Sequence, residues 1–455
     1  MKLAIIGGGG VRSMFLAKSL VQRASICNIR EIVFMDSNES QLNIYGEMAL
    51  QVAKQINPSI EFWLTTDAKD AVANANYVIT TIRVGGNESR IQDERVALSH
   101  GVLGQETTGA AGFSYAMRSV PVLAEYCELI RKHAESDVKM FNFTNPAGVV
   151  SQTLLDLGYD FAIGICDAPS GLLHDIARLY NVSSDSIVAK CFGLNHLSFF
   201  NSVKIDGKEC LREIIEDDRL YTQSEMKYFD KDLTRRMGLL LNEYLYYYFY
   251  PEVAINNILS AGVTRGEIIR DINTGMDKEL SAIDAENNFD KCLSIFEKWY
   301  NKREVAYMAN ETGKMPHKPP FKFDINSKDA GGYAGVALEY IEAVQSGKES
   351  KMIACIANNG AIPGLLDSDV VEVSCTISKS GLIRDCFERI DDIPMELIRR
   401  VKMYERLASK AIREKSKIVA VECLMMHPLV NSYSLATSLC DKYFALNKDY
   451  VGGWS

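Results

Sequence analysis

Through about residue 165 the chain alternates short β-branched apolar runs with stretches whose apolar positions recur at helical spacing. Lys2–Ile6, Glu31–Met35, Tyr77–Thr81, Lys139–Phe143 and Phe161–Ile165 read as strands. Runs that are apolar almost throughout belong to a parallel sheet covered on both faces. Between them, Phe15–Gln22, Gln41–Gln55 and Val120–His133 carry the helical spacing with few internal breakers. The pattern predicts a doubly wound α/β half. Beyond about residue 200 the rhythm lengthens, predicting helices over Leu239–Tyr250, Ile295–Asn310, Gly335–Gln345 and Pro394–Ala420. Strand-like pieces at Phe199–Ile205, Met352–Ala357 and Val370–Ile377 predict a further sheet, so the second half reads as helix-rich α+β. The expected division is 1–195 for a nucleotide-binding domain and 196–455 for a substrate domain, closely packed with the site between them.

Composition narrows the function classes. With 455 residues, 47% of them hydrophobic, the chain has ample material for a large core. A formal net charge of -9 supplies no basic footprint for nucleic acid, and no apolar stretch reaches membrane-spanning length. The opening Met1–Ile6 ends at four glycines where a signal peptide would continue, so it reads as a strand. Eleven cysteines without paired spacing read as reduced thiols of a cytoplasmic protein, a setting that also suits a metal-binding thiolate.

Gly7, Gly8, Gly9 and Gly10 follow the first strand and precede a helix, where bare backbone lets a pyrophosphate approach. Arg12 stands where the third glycine of the dinucleotide fingerprint is expected, so a plain tight turn is the competing reading. Asp36, ending the second strand, suits the ribose hydroxyls of NAD, the competing reading being a helix N-cap or a solvated turn residue. Asn145, in Phe141-Asn142-Phe143-Thr144-Asn145-Pro146 at another strand's C-terminal end, suits sugar hydroxyls or ordinary Asn-Pro turn chemistry. Cys166 beside Asp167, and His196 in Gly193-Leu194-Asn195-His196, offer a thiolate and an imidazole to a divalent transition metal. Either alone reads as a buried small hydrophobe or a core histidine. The run Glu243-Tyr244-Leu245-Tyr246-Tyr247-Tyr248 is an aromatic stripe suited to a core. A tyrosine acting as base would need cations nearby to depress a pKa of about 10. Arg83, Arg90 and Arg265 are candidate guanidinium forks for a phosphorylated substrate, or surface cations.

Taken together these motifs resemble glycoside hydrolase family 4, the NAD- and metal-dependent glycosidases, over nearly the whole chain. Further matches are Arg83-Val84-Gly85-Gly86, Gly104-Gln105-Glu106-Thr107-Thr108-Gly109, Thr264-Arg265, Asn358-Asn359-Gly360 and His427-Pro428. The resemblance implies a Rossmann-like first domain related to lactate and malate dehydrogenases, with NAD on Gly7–Gly10, Asp36 and Arg83. It implies Mn2+ or another divalent ion on Cys166 and His196, and Arg90, Asn145 and Arg265 on the phosphosugar. The implied activity is hydrolysis of 6-phospho-glucosides, on a phosphorylated disaccharide or aryl substrate. Oxidation at carbon 3 would be followed by removal of the carbon 2 proton by Tyr244, elimination of the aglycone, water addition and re-reduction. Glu106 would raise the basicity of Tyr244. Asp167 matches the proton donor of α-specific members, whereas Gly104–Gly109, the stretch from Asn195 to Phe199 and the stretch from Val401 to Leu407 are similar to β-specific ones, so the expectation leans to β. Family habit implies a homodimer or homotetramer. An NAD-dependent 2-hydroxy acid dehydrogenase and a non-catalytic NAD-sensing protein are the competing classes; neither needs a cysteine-histidine metal pair.

Overall fold

A computed structural model describes residues 1–315, 319–328 and 333–455 of the chain. Its main sheet has a parallel centre of Lys2–Ile6 (β1), Glu31–Met35 (β2), Glu61–Thr65 (β3), Tyr77–Thr80 (β4), Lys139–Asn142 (β5) and Ala162–Gly164 (β6), in the order β6-β5-β4-β1-β2-β3. This is the dinucleotide-binding arrangement, in which strand order reverses beside β1 and ligands sit outside the carboxyl ends of the strands. β1 is buried along its whole length because neighbours pair with it on both sides and helices cover it. β3, which the apolar pattern did not predict, is an edge strand with Glu61 exposed and its other residues half-buried. Its faces are only half-covered, so its apolar run is confined to Phe62-Trp63-Leu64 between Glu61 and Thr65.

The turn after β1 is built for close approach. Gly7 and Gly8 both donate to the Met35 carbonyl at 2.8 Å, drawing the turn against the end of β2. Gly7 has φ +101°, and a Cβ on it would lie 2.4 Å from the Thr81 carbonyl oxygen. The next helix, Ser13–Arg23, therefore starts directly over the sheet's carboxyl edge.

Three expectations are corrected. Met352–Ala357 and Val370–Ile377 do not form a separate sheet. They lie in Ser350–Ala357 (β10) and Val370–Ser378 (β11), which with Gly381–Arg384 (β12) extend the main sheet antiparallel beyond β6. β6 otherwise leaves an open edge beside the site, and pairing satisfies its backbone. Leu239–Tyr250 is not one helix: Leu240–Leu241 (labelled β9 below), a 3-10 turn over Glu243–Leu245 and a single helical turn at Tyr246–Phe249 replace it. Asn242 makes the break by accepting from the Tyr244 amide at 3.0 Å. The stretch Pro394–Ala420 is two helices, Asp392–Glu414 and Lys417–Met426. Lys415 at φ 52° ends the first, and the Ser416 side chain caps the second.

Ile187–Leu194 (β7) and Leu197–Ile205 (β8) form a hairpin in a second, small sheet, with β9 paired to β8. Leu194 pairs with Leu197, leaving Asn195 and His196 as the turn. The 195/196 division expected from the sequence thus falls on the tip of one hairpin. Gly193 has φ +140°, and a Cβ there would lie 2.3 Å from the Leu197 carbonyl oxygen, so the turn is tight. The hairpin is seated on the main sheet by Ser374 of β11, whose hydroxyl accepts from the Cys191 amide at 3.2 Å. That seating carries the tip to the carboxyl end of β6.

Among the described residues no helix is long and apolar enough to cross a membrane, and all eleven cysteines are free thiols.

Candidate active site

Cys166 leaves the end of β6, and His196 comes down from the hairpin tip to meet it, with Sγ and Nε2 3.6 Å apart. A tetrahedral zinc-like centre with a metal–sulfur distance of about 2.3 Å and a metal–nitrogen distance of about 2.0–2.1 Å would hold its sulfur and nitrogen about 3.6 Å apart. The pair therefore fits one shared ion. His196 adopts φ 61°, a left-handed backbone that histidine tolerates better than most residues. Its Nδ1 lies 3.0 Å from Thr107 Oγ1, and that hydroxyl donates to Gln105 Oε1 at 2.9 Å. With its own proton committed to Gln105, Thr107 accepts from Nδ1–H, which leaves the Nε2 lone pair facing Cys166. Burial lowers the His196 pKa to about 3, so the ring is neutral, as a metal ligand must be. Among the described residues no group of three His, Cys, Asp or Glu side chains is placed to hold an ion, so an ion on this pair would have two protein ligands and further positions open.

Tyr244 lies flat on the His196 ring, with centroids 3.6 Å apart and planes within 1°. Burial, then Glu243, raises its pKa well above the ordinary phenol range, against a hydrogen bond with Tyr307 that lowers it. Burial and the anions of Asp167 and Glu372 likewise raise the Cys166 thiol. Each group needs a cation to ionise, and an ion at the Cys166–His196 pair would adjoin both.

Glu106 is held by Arg83 and, at 3.1 Å, by Arg90 Nη1. Burial would raise its carboxyl, but the two guanidiniums outweigh it and hold the pKa at about 2. Arg90 Nε also bonds Glu94 at 2.8 Å. Arg83, expected on the cofactor, is thus engaged with Glu106 and lies over the Tyr115 ring. Arg265 begins the helix Arg265–Leu280, donates to the Arg303 carbonyl at 3.1 Å and lies over Tyr307, while its Nη1 is buried with no hydrogen-bond partner among the described residues. An orphaned guanidinium nitrogen is what an anionic ligand would satisfy.

A cavity of ≈ 210 Å³ opens at the Cys166–His196 pair, lined by Asn145, Cys166, Asp167, His196 and Tyr244 from the expected set. Arg12, Glu225, Glu243, Glu304 and Tyr307 also line it, and sequence reading assigned none of them a role. Of these only Arg12, in the glycine motif, and Glu243, adjoining Tyr244, carried a local signal. Arg12 Nη1 stands 3.7 Å from Asp167 Oδ2, linking the glycine turn to the Cys166 loop. Arg83, Arg90, Glu106 and Arg265 are not among the lining residues: Arg83 and Arg90 are paired with Glu106, and Arg265 lies over the ring of Tyr307, which does line it. A roomier hollow of ≈ 380 Å³ lies elsewhere, between Glu39–Met48 and Leu280–Cys292, and brings none of the motif residues with it.

The glycine turn also fits its expected ligand. Gly9 donates to Asp36 Oδ2 at 2.9 Å, so the carboxylate stands at the turn's mouth, and a Cβ on Gly10 would meet nothing nearer than Gly7 O at 3.5 Å. The backbone is bare where a pyrophosphate would lie.

The family model described as family 4 glycosyl hydrolase matches residues 2–182, and that for the family's C-terminal domain matches residues 191–430. A 6-phospho-beta-glucosidase of Thermotoga maritima is 28% identical over 457 residues, spanning 99% of each chain. A 6-phospho-alpha-glucosidase of Lacticaseibacillus paracasei is 26% identical over 463 residues, spanning 98% of this chain and 97% of its own. The solved structure of the Thermotoga maritima 6-phospho-beta glucosidase with manganese, NAD+ and glucose-6-phosphate superposes with a TM-score of 0.80 at 26% identity, covering 99% of both chains.

Proposed function

The chain belongs to family 4 of the glycosyl hydrolases, and from that premise we propose that it hydrolyses 6-phospho-glucosides, the β-linked ones by preference, using NAD and a divalent ion such as Mn2+. Membership sets aside the dehydrogenase and NAD-sensing classes. The observation that carries the reading is the 3.6 Å approach of Cys166 Sγ to His196 Nε2 at the cavity wall. When bound, the nicotinamide takes and returns a hydride at sugar carbon 3, and the ion acts as a Lewis acid toward the carbon 2 and carbon 3 oxygens.

The chain's own residues then have definite tasks. Gly7–Gly10 and Asp36 hold the dinucleotide; Cys166 and His196 hold the ion. Tyr244, stacked on His196, removes the proton from carbon 2, after which the aglycone leaves carbon 1. Glu106, an anion throughout the working pH range, raises the proton affinity of Tyr244 and tethers Arg83 and Arg90. We assign Arg83 to this tether in the structure as it stands. Asn145 meets sugar hydroxyls at the cavity wall, and Arg90, beside Glu106, and Arg265, over Tyr307, are the counter-charges for the phosphate. Residues 1–195 supply the cofactor side and 196–455 the closing side, with the hairpin tip between them. We place the enzyme in the cytoplasm as a homo-oligomer, where phosphorylated sugars and reduced thiols are found.

One observation favours the α anomer instead. Asp167 lines the cavity beside the ion pair site, where a proton donor to an α-linked leaving oxygen would stand. Paired α- and β-linked p-nitrophenyl glucoside 6-phosphates, assayed with and without NAD+ and Mn2+, separate the readings. The expected result is β cleavage that needs both additions. A larger kcat/KM on the α substrate would reverse the anomeric assignment, and undiminished cleavage by chelated, cofactor-stripped enzyme would reject the whole reading.

A further inference from the structure

Behind the Cys166–His196 pair lies a buried polar ladder to which the reaction above gives no task. β6, β10 and β11 place Gly164, Cys355 and Glu372 side by side, with Cys355 opposite Gly164 on one flank and opposite Glu372 on the other. A Cβ on Gly164 would lie 2.7 Å from Cys355 Cβ and 2.3 Å from Ser151 Oγ, so the strands meet there without intervening side chains. Glu372 is 1% exposed. Its Oε1 accepts from Asn195 Nδ2 at 3.0 Å and from Cys355 Sγ at 3.7 Å. Burial pushes its carboxyl up to about 7, against hydrogen bonds from Ser198, Asn195 and Cys355 that lower it. A carboxylate is retained in this dry setting although burying it is costly.

Asn195 is the residue through which that cost has an effect on the site. It is the other half of the hairpin turn that carries His196, whose Nε2 stands 3.6 Å from the Cys166 sulfur. One amide anchored on a rigid strand thus fixes the turn, and with it the approach of His196 to the thiol. We propose that Glu372 is a positioning residue for the metal centre, acting through Asn195 to hold the His196 turn in register with the Cys166 sulfur for one ion. The inference rests on the reading that Cys166 and His196 share that ion. Groups of this kind, which orient ligands without touching the metal, carry about 10–100-fold in metal affinity.

Co2+ is a suitable probe, because its bond to a thiolate gives a charge-transfer absorption that reports the sulfur directly. Full-length metal-free protein is titrated with Co2+ in wild type, Cys166→Ser, Glu372→Ala, Glu372→Gln, Asn195→Ala and the combined Glu372→Ala and Asn195→Ala forms, with NAD+ affinity as the control for folding. Glu372→Ala is expected to weaken Co2+ binding about 10–100-fold and shift the thiolate band. Glu372→Gln, whose amide oxygen still accepts from Asn195, stays near wild type. Asn195→Ala shows the same loss as Glu372→Ala, and the double variant is no worse than either, the signature of one shared interaction. Wild-type Co2+ affinity and band in a folded Glu372→Ala protein would overturn the proposal while leaving the metal site intact. If that variant does not fold, unchanged affinity in Asn195→Ala overturns it equally. Absence of a Cys166-dependent band in the wild type would instead overturn the metal reading, and this inference with it.

Discussion

Cys166→Ser or His196→Ala will lower kcat/KM on a β-linked aryl glucoside 6-phosphate by about 10³-fold or more, corresponding to several kcal/mol of lost transition-state stabilisation. The two side chains stand 3.6 Å apart at the end of β6, and removing either leaves a single protein donor for the ion. The loss falls on metal-dependent steps alone. Gly7–Gly10 and Asp36 form their own hydrogen-bonded turn at the ends of β1 and β2, so NAD+ affinity should remain close to wild type. Metal content of the purified variants, steady-state kinetics with added Mn2+ and a fluorescence titration with NAD+ check the three parts separately. Full activity in a variant that no longer retains metal would remove the pair from the reaction.

Tyr244→Phe will lower kcat by about 10²–10⁴-fold, the range that a positioned general base contributes. KM for substrate and the affinity for NAD+ should change little, since the phenyl ring still stacks on His196 and fills the same space. The hydroxyl is needed because the phenol must ionise. In the metal-free protein, burial and Glu243 oppose that ionisation, which ties the base to the ion beside it. Tyr307 provides the internal control. It lines the same cavity, its hydroxyl donates to Glu243, and burial and Glu243 raise its own pKa well above the ordinary range. Rates measured for Tyr244→Phe and Tyr307→Phe side by side identify the base: a large loss in the second with none in the first would transfer the role to Tyr307.

How far the chain announces its structure depends on what each segment packs against. β1 and β2 have the predicted limits because both faces are covered, and an uninterrupted apolar run is then the only sequence that satisfies them. β3 escapes the same reading because its outer edge meets water and accepts Glu61 and Thr65. The helix Gly86–Ser99 is obscured for a different reason: Arg90, Asp93 and Glu94 are among its buried residues, satisfied by ion pairs that no apolar periodicity records. The aromatic stripe near Tyr244 has the composition of a core helix, yet a single Asn242 side chain bonding the Tyr244 amide turns it into a strand end and a 3-10 turn. β10 and β11 were visible as strands, but which sheet receives them depends on the free edge of β6, a property of the fold and not of their own residues.

The site divides in the same way. Cys166, His196 and Tyr244 sit in short motifs whose residue types carry their chemistry, and the fold brings all three to one cavity. Tyr307 and Glu304 reach the cavity from the distant helix-rich half, and Glu372 reaches the hairpin from the far flank of the main sheet. Nothing local marks them, since their roles consist of contacts made only after folding. Arg83 sits in a legible motif, but its ion pair with Glu106 is made only on folding and could not be read from that motif.

The central claim is that bond cleavage begins with loss of the proton at carbon 2, taken by Tyr244 beside the Cys166–His196 pair. Hydrolysis of a β-linked glucoside 6-phosphate in D2O, with the glucose 6-phosphate product examined by proton NMR, tests it most directly. The account predicts solvent deuterium at carbon 2 of the product from wild-type enzyme. Product formed at full rate with carbon 2 still carrying its original hydrogen would contradict it.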